Sequence, residues 1–164
     1  MALFTDVSVS PDSMIGFGAY LFIPEIELTV ISDEQIKNKL QFKKFEQTSS
    51  TRLEIQTLLW ALERIENTLQ AGNLKIYTDS QNIVGLPARK TKLENNNFKS
   101  ISKNRELNNA ELYRKFYTYQ DRLSFELIKL QGHSTTENKD IYHRIFSYVD
   151  KGSRMALRTY LTES

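Results

Sequence analysis

The stretch 74–81 reads Leu-Lys-Ile-Tyr-Thr-Asp-Ser-Gln, and it decides the fold class. A short apolar run typical of a β-strand ends in a carboxylate, Asp79, and residues that can begin a helix follow at once. In α/β proteins, reactive side chains are often exposed at the carboxyl ends of strands. Asp79 could equally cap a helix that begins near Ser80. Taken alone, this stretch predicts an α/β protein and leaves the role of its carboxylate open.

The regions around this stretch predict a small mixed sheet with helices. A turn at 10–13 joins two runs of β-forming residues, which predicts a hairpin. Pro87 is expected to end a short helix, and the basic stretch 89–108 is expected to be a loop. The predicted elements are strands at 2–9, 15–23 and 40–47, a helix from 49 that ends at 71–73, a strand at 74–78, helices at 80–86 and 109–122, a strand at 125–130, and closing helical segments over 141–161. Residues 1–164 are therefore expected to form a single domain, since we find neither a repeat nor a linker.

The composition restricts the chemistry that is available. The chain of 164 residues has no cysteine and two histidines, so a metal would be held mainly by carboxylates, which suits Mg²⁺ or Mn²⁺. The net charge is +2, but six basic residues lie between Arg89 and Arg105 against the single acid Glu94. Such a run is usually a solvated loop, and it is also where an anionic partner could bind. We see no signal peptide and no membrane span, and we expect a cytoplasmic protein.

Two further acids stand at notable positions. Asp6 lies inside a predicted strand, where Asp is depleted, although an edge or bulge position would also explain it. Glu54 lies three residues after Thr51, and the pair could form a capping box at the helix start. Glu54 also lies at the end of the buried side of this helix and could point at the sheet. For both acids, a structural and a functional interpretation remain open.

His133 and Asp150 lie near the end of the chain. His133 follows the last predicted strand and could be an ordinary surface histidine, and Asp150 could cap the last helical turns. A small mixed sheet could nevertheless bring Asp150 together with Asp6, Glu54 and Asp79. Clustered carboxylates repel one another unless a divalent cation neutralises them. Two such cations about 3.5–4 Å apart can activate a water and stabilise the leaving oxygen in phosphodiester cleavage.

Six motifs in this chain occur in the order in which the ribonuclease H family has them, and together they span nearly the whole sequence. They are Leu-Phe-Thr-Asp-Val-Ser at 3–8, Gly-Phe-Gly-Ala at 16–19, Ser-Thr-Arg-Leu-Glu-Ile at 50–55, Thr-Asp-Ser-Gln at 78–81, Gly-His-Ser at 132–134 and Val-Asp-Lys-Gly-Ser-Arg at 149–154. Each motif is weak by itself, but the ordered set resembles this family, in particular its bacterial type.

The resemblance implies an α/β fold with a five-stranded mixed sheet in the order 3-2-1-4-5, flanked by helices. It also implies hydrolysis of the RNA strand of RNA–DNA hybrids by an endonuclease that uses two Mg²⁺ or Mn²⁺ ions. The residues implied to hold the ions are Asp6, Glu54, Asp79 and Asp150.

Further roles follow from the same resemblance. His133 is implied to assist proton transfer or product release. Ser50, Thr51 and Gln81 are implied to contact the minor groove of the hybrid, where 2′-hydroxyls distinguish RNA from DNA. The stretch from Arg89 to Arg105 is implied to lie near the phosphates of the DNA strand. We expect the protein to act as a monomer.

Two departures from the family pattern stand out. Val7 follows the first acid where the family usually has Gly, which bears on how the chain grips its substrate. His133 and Asp150 are 17 residues apart (150 − 133), a longer spacing than is usual in the family. Asp140 is therefore a rival for the fourth acid. We favour Asp150, because a helical run follows it, and we then expect residues 135–148 to be an insertion.

Two other functions remain open at this point. A nucleic-acid-binding module with this fold but without turnover is suggested by Val7 and by the altered final loop. A junction resolvase or an exonuclease would share the fold. The exonucleases typically have Asp-x-Glu in the first strand, whereas this chain has Asp-Val-Ser at 6–8.

Overall fold

The computed structural model describes residues 1–69, 73–131 and 140–163. Within these ranges the chain forms five strands and five α-helices, with short 3₁₀ turns at Glu25–Glu27 and Glu66–Thr68. The strands are β1 (Ala2–Ser10), β2 (Ile15–Ile23), β3 (Gln41–Phe45), β4 (Leu74–Thr78) and β5 (Phe125–Lys129). The helices are α1 (Asp33–Lys39), α2 (Ser50–Ile65), α3 (Gln81–Asn95), α4 (Ala110–Arg122) and α5 (Ile141–Glu163). In the described ranges, no helix is both long and apolar enough to cross a lipid bilayer.

The five strands form one mixed sheet in the order β3-β2-β1-β4-β5, as predicted. The first three strands pair antiparallel, while β1 with β4 and β4 with β5 pair parallel. Phe4 of β1 pairs with Tyr77 of β4. Asp6 and Asp79 each follow one of these partners by two residues, so the register places both acids at the same edge of the sheet.

Helices cover both faces of the sheet because successive strand residues point to opposite sides. Leu3 and Ile76 pack under α2, α3 and α4, whereas Phe4 and Tyr77 pack under α1 and α5. Asp6 has the same parity as Phe4, and it therefore points to the side covered by α5.

Helix α1 was missed by the sequence prediction, which treated residues 32–39 as a polar approach to the third strand. Ser32 caps this helix: its hydroxyl accepts a hydrogen bond from the Gln35 N–H at 3.1 Å, and the Gln35 side chain accepts one from the Ser32 N–H at 2.9 Å. This Ser-x-x-Gln capping box was readable from the sequence. The helix is short and buries only Ile36, so it gives little hydrophobic periodicity.

The predicted break at Pro87 is wrong, and the predicted loop over 89–108 is wrong for residues 89–95, since α3 continues through Pro87 to Asn95. A proline inside a helix costs about 3 kcal/mol. Packing against α4 offsets this cost. Leu93 is buried, and the Tyr117 hydroxyl donates a hydrogen bond to the Leu86 carbonyl at 2.7 Å.

Residues 135–148 were expected to be an insertion ahead of a helix that starts at Asp150. The structure instead places Asp150 inside the 23-residue helix α5, of which residues 141–148 form the first two turns. Ile145 and Val149 are fully buried against the sheet. Their burial stabilises the part of α5 that precedes Asp150.

Candidate active site

Asp6 lies in a strongly negative environment in the middle of β1, two residues beyond the last pairing of β1 with β4. Burial, followed by the negative charges of Asp79 and Asp150, raises the pKa of its carboxyl to about 8. A hydrogen bond between the side chains of Asp6 and Asp150 acts in the same direction, whereas the backbone N–H of Val7 opposes it. Asp79 after the end of β4 and Asp150 in α5 are therefore both close enough to Asp6 to oppose its ionisation.

Glu54 joins this group from the first turns of α2. Burial raises the pKa of its carboxyl, hydrogen bonds from Ser80 and Asn82 oppose the increase, and the charge of Asp79 adds to it. The Ser80 hydroxyl donates to the Glu54 carboxylate at 2.6 Å. The capping box that Glu54 could have formed with Thr51 does not exist: Ser49 is the N-cap of α2, and its hydroxyl accepts from the Arg52 N–H.

Two glycines in β2 determine how close α2, and with it Glu54, lies to the sheet. A methyl group added at Gly18 would lie 2.1 Å from the Thr57 Oγ1 atom, and one at Gly16 would lie 2.3 Å from the Leu53 Cδ2 atom. Both distances are shorter than any van der Waals contact. The Gly-x-Gly pattern in the second strand thus permits the close packing that brings Glu54 to the acidic cluster.

Asp79 is exposed and lies one position before the N-cap of α3. That cap is Ser80, whose hydroxyl accepts a hydrogen bond from the Ile83 N–H at 3.2 Å while it donates to Glu54. The alternative of Asp79 as a helix cap is therefore wrong. The double role of Ser80 was not predicted, although a serine at the start of a predicted helix is a common capping signal.

The structure separates Asp150 from its rival Asp140. Asp150 lies mid-helix, where its carboxylate accepts a hydrogen bond from Arg154 and interacts with Asp6. Asp140 precedes the first turn of α5, and its carboxylate accepts from the His143 N–H at 3.0 Å and contacts the His143 ring at 2.7 Å. Ten residues of helix separate the two acids by about 15 Å, so Asp140 lies away from the cluster.

The predicted substrate-contacting residues lie around the acids. Ser50 is the exposed first residue of α2, and the Thr51 hydroxyl accepts a hydrogen bond from Asn82 at 3.4 Å. The Gln81 side-chain oxygen accepts from the Lys129 ammonium at 2.7 Å. Lys129 was not among the predicted site residues, although it is a charged residue at the end of β5. His133 lies outside the residues that the structure describes.

The basic stretch from Arg89 is held in part by contacts within the fold. The Arg89 guanidinium lies 5.4 Å from the centre of the Tyr113 ring, and Lys90 forms an ion pair with Asp121 at 2.8 Å. Both basic residues are in α3, so the first part of the stretch is a helical surface beside α4 and not the loop that was expected.

The chemistry of this cluster suits a hard divalent cation. The negative charges of Asp79 and Asp150 raise the pKa of Asp6, and a bound Mg²⁺ or Mn²⁺ would neutralise them. In the part of the chain that the structure describes, no three acidic or histidine side chains are arranged as a ready cation site. The donor atoms of Asp6, Glu54, Asp79 and Asp150 fit such an ion by type and charge.

Comparisons with known proteins agree with this fold. The ribonuclease H family model matches residues 1–141. A similar solved structure is that of the foamy viral protease-reverse transcriptase in complex with double-stranded DNA. It shares 15% sequence identity with a TM-score of 0.59, covering 90% of this chain and 92% of that chain. No curated protein sequence matches the chain. Because the family model covers most of the sequence, the chain belongs to the ribonuclease H family, whose members in general hydrolyse the RNA strand of RNA–DNA hybrids.

Proposed function

We propose that this protein is a Mg²⁺- or Mn²⁺-dependent endonuclease that hydrolyses the RNA strand of RNA–DNA hybrids with two metal ions. The observation that supports this proposal most directly is the interaction among four carboxylates at one edge of the sheet. Asp79 and Asp150 raise the pKa of Asp6, and Asp79 also raises that of Glu54. The family match ends at residue 141, so Asp150 enters the proposal through this geometry and through the motif at 149–154.

In the proposed mechanism, Asp6, Glu54, Asp79 and Asp150 hold the ions. When bound, such ions supply a water activated for attack and stabilise the leaving 3′ oxygen. The chain itself orients the carboxylates through hydrogen bonds. The Ser80 hydroxyl fixes the Glu54 carboxylate with its 2.6 Å hydrogen bond, and the cap that Ser80 forms on α3 fixes Ser80 in turn.

Substrate contacts follow from the residues around the acids. Ser50, Thr51 and Gln81 are proposed to donate or accept hydrogen bonds at the 2′-hydroxyls of the hybrid's minor groove. His133 is proposed to assist proton transfer or product release, and the stretch Arg89–Arg105 is proposed to lie near the phosphates of the DNA strand. We further propose that the chain is one domain acting as a cytoplasmic monomer, and that it is of the bacterial type, which the order of its motifs resembles.

The experiment is a cleavage assay on a hybrid labelled in its RNA strand, with Mg²⁺ or Mn²⁺. We expect internal cuts in the RNA, no cuts in duplex DNA and no activity in EDTA. The Asp79→Asn variant is the matched control, because it removes one charge from an exposed side chain that caps no helix. Hybrid binding without cleavage in either ion would instead support the second candidate, a binding module without turnover, which the Val7 departure favours.

A further inference from the structure

A groove runs along the helical face of the molecule beside the edge strand β3. Its floor is α2, its walls are α4 and β3, and its volume is about 530 Å³, within the range of ligand pockets. We call it the edge groove and define it by Lys43, Phe45, Trp60, Lys115, Tyr119 and Arg122. Along α4 it extends from Leu112 to Arg122, which is about 15 Å.

The edge groove is separate from the acidic cluster. Trp60 lies six residues after Glu54 on α2, which places it about 9 Å further along the helix and on a different side of it. The groove opens on the face covered by α2 and α4, whereas Asp6 points to the face covered by α5. A ligand in the groove would therefore lie outside the carboxylate cluster.

The charge of the edge groove is positive. Three cations, Lys43, Lys115 and Arg122, line it against one acid, Glu63. Arg122 forms an ion pair with Glu66, but in the described ranges neither Lys43 nor Lys115 has an acidic partner within 4 Å. Two ammonium groups are thus available for an anionic ligand.

Aromatic rings lie between these cations. The Lys43 ammonium lies 5.1 Å from the centre of the Phe45 ring and 5.9 Å from that of Trp60, and the Arg122 guanidinium lies 4.8 Å from the centre of the Tyr119 ring. All three rings are partly exposed. Because Lys43 is exposed and flexible, a flat apolar ligand could take its place over Trp60 while the ammonium moves to a nearby anion.

We propose that the edge groove binds single-stranded nucleic acid. Nonspecific single-strand sites combine cations that follow the phosphates with aromatic side chains on which bases stack. The groove has both features in alternation over its length. An acidic peptide would use the cations but would leave the three rings without flat partners, so the bases of a single strand fit the lining better.

Trp60 provides a site-specific test, because it is the only tryptophan in the sequence. We expect oligothymidylate, titrated into the full chain in EDTA, to quench the tryptophan emission to saturation and to bind less tightly as salt rises. The double variant Lys43→Gln/Lys115→Gln removes two phosphate contacts. It should therefore weaken binding and lower the slope of log affinity against log salt by about 1.4, or roughly 0.7 for each contact.

The matched control is Lys37→Gln/Arg158→Gln, which removes the same charge from α1 and α5 on the opposite face. This variant should keep the wild-type salt slope. Oligothymidylate that raises the anisotropy of a labelled strand without quenching Trp60 would overturn the proposal, because binding would then lie elsewhere. Equal slopes for both double variants would also overturn it. Equal quenching by polyglutamate would reassign the groove to an acidic protein partner. Hybrid cleavage is measured separately, so failure of this test leaves the proposed nuclease activity untouched.

Discussion

The replacement Asp6→Asn should stabilise the metal-free protein against unfolding. The folded chain holds the pKa of this carboxyl at about 8, whereas the ordinary pKa of an Asp side chain is 3.8. A pH of 7 is 3.2 units above the ordinary pKa of this carboxyl (7 − 3.8). Each of these units adds about 1.36 kcal/mol to the free energy needed to keep the carboxyl protonated. Asp6 therefore lowers the free energy of unfolding by at most about 4 kcal/mol at this pH. The replacement amide must also find hydrogen bonds in a partly buried site, so we expect a net gain of about 2 kcal/mol.

The sign of the pH dependence follows from the proton that the folded state retains. Between about pH 4 and pH 8 the folded protein binds more protons at Asp6 than the unfolded chain does, so the free energy of unfolding falls as the pH rises. Urea denaturation in EDTA at several pH values measures this slope. We expect the slope to flatten in Asp6→Asn. Added Mg²⁺ should stabilise the wild type more than the variant, because an ion that binds only the folded carboxylates shifts the equilibrium by mass action.

The control for this experiment is Asp33→Asn. The pKa of Asp33 is lowered by a hydrogen bond from Arg144, which contacts its carboxylate at 2.6 Å. Neutralising Asp33 should therefore destabilise the protein at pH 7, a change of the opposite sign. An Asp6→Asn variant no more stable than the wild type at pH 7, or a wild-type stability that does not fall between pH 4 and pH 8, would refute the reasoning on Asp6.

Further predictions concern the remaining acids and the packing of α2. Asp79→Asn should abolish hybrid cleavage and leave the urea midpoint nearly unchanged, since this side chain is exposed; retained cleavage would refute its proposed metal role. Asp150→Asn should abolish cleavage as well, whereas Asp140→Asn should keep it and lose about 1 kcal/mol of stability with the helix cap; the reverse pattern would make Asp140 the fourth acid. Gly18→Ala should cost about 1–3 kcal/mol and slow cleavage, because its methyl group would displace α2; Thr57→Ala in the same chain should restore part of both, and a purely additive double-mutant cycle would contradict this contact.

The sheet was predictable because its signals are local. The hairpin register from Ser10 opposite Ile15 to Ala2 opposite Ile23 follows from two β-forming runs and one turn. The order of all five strands followed from the family resemblance carried by motifs such as that at 78–81. From the residues alone, the approach of Glu54 to the sheet was one of two alternatives, since a capping box with Thr51 was equally consistent with the sequence. Only the family resemblance implied that Glu54 and Asp79 act together.

Other features depended on tertiary contacts that a sequence pattern does not show. Pro87 is a local signal for a helix end. The helix nevertheless continues, because the packing of Leu93 and the hydrogen bond between Tyr117 and Leu86 stabilise it. Asp150 was assigned to a helix start because acids are common there. The helix begins nine residues earlier, at Ile141, because Ile145 and Val149 extend its buried side under the sheet.

The position of Asp150 in the middle of α5 also limits how the chain can change in length. Each residue inserted or deleted between Ile141 and Asp150 would turn the acid by about 100° around the helix axis and move it away from Asp6. A change of seven residues would turn it by only about 20°. Natural variants and engineered chains that keep the acidic cluster should therefore differ in the length of this segment by about seven residues, which is close to two helical turns. The number of residues between the start of α5 and its acid is therefore restricted, whereas the segment between β5 and α5 can vary in length without turning Asp150 away from Asp6.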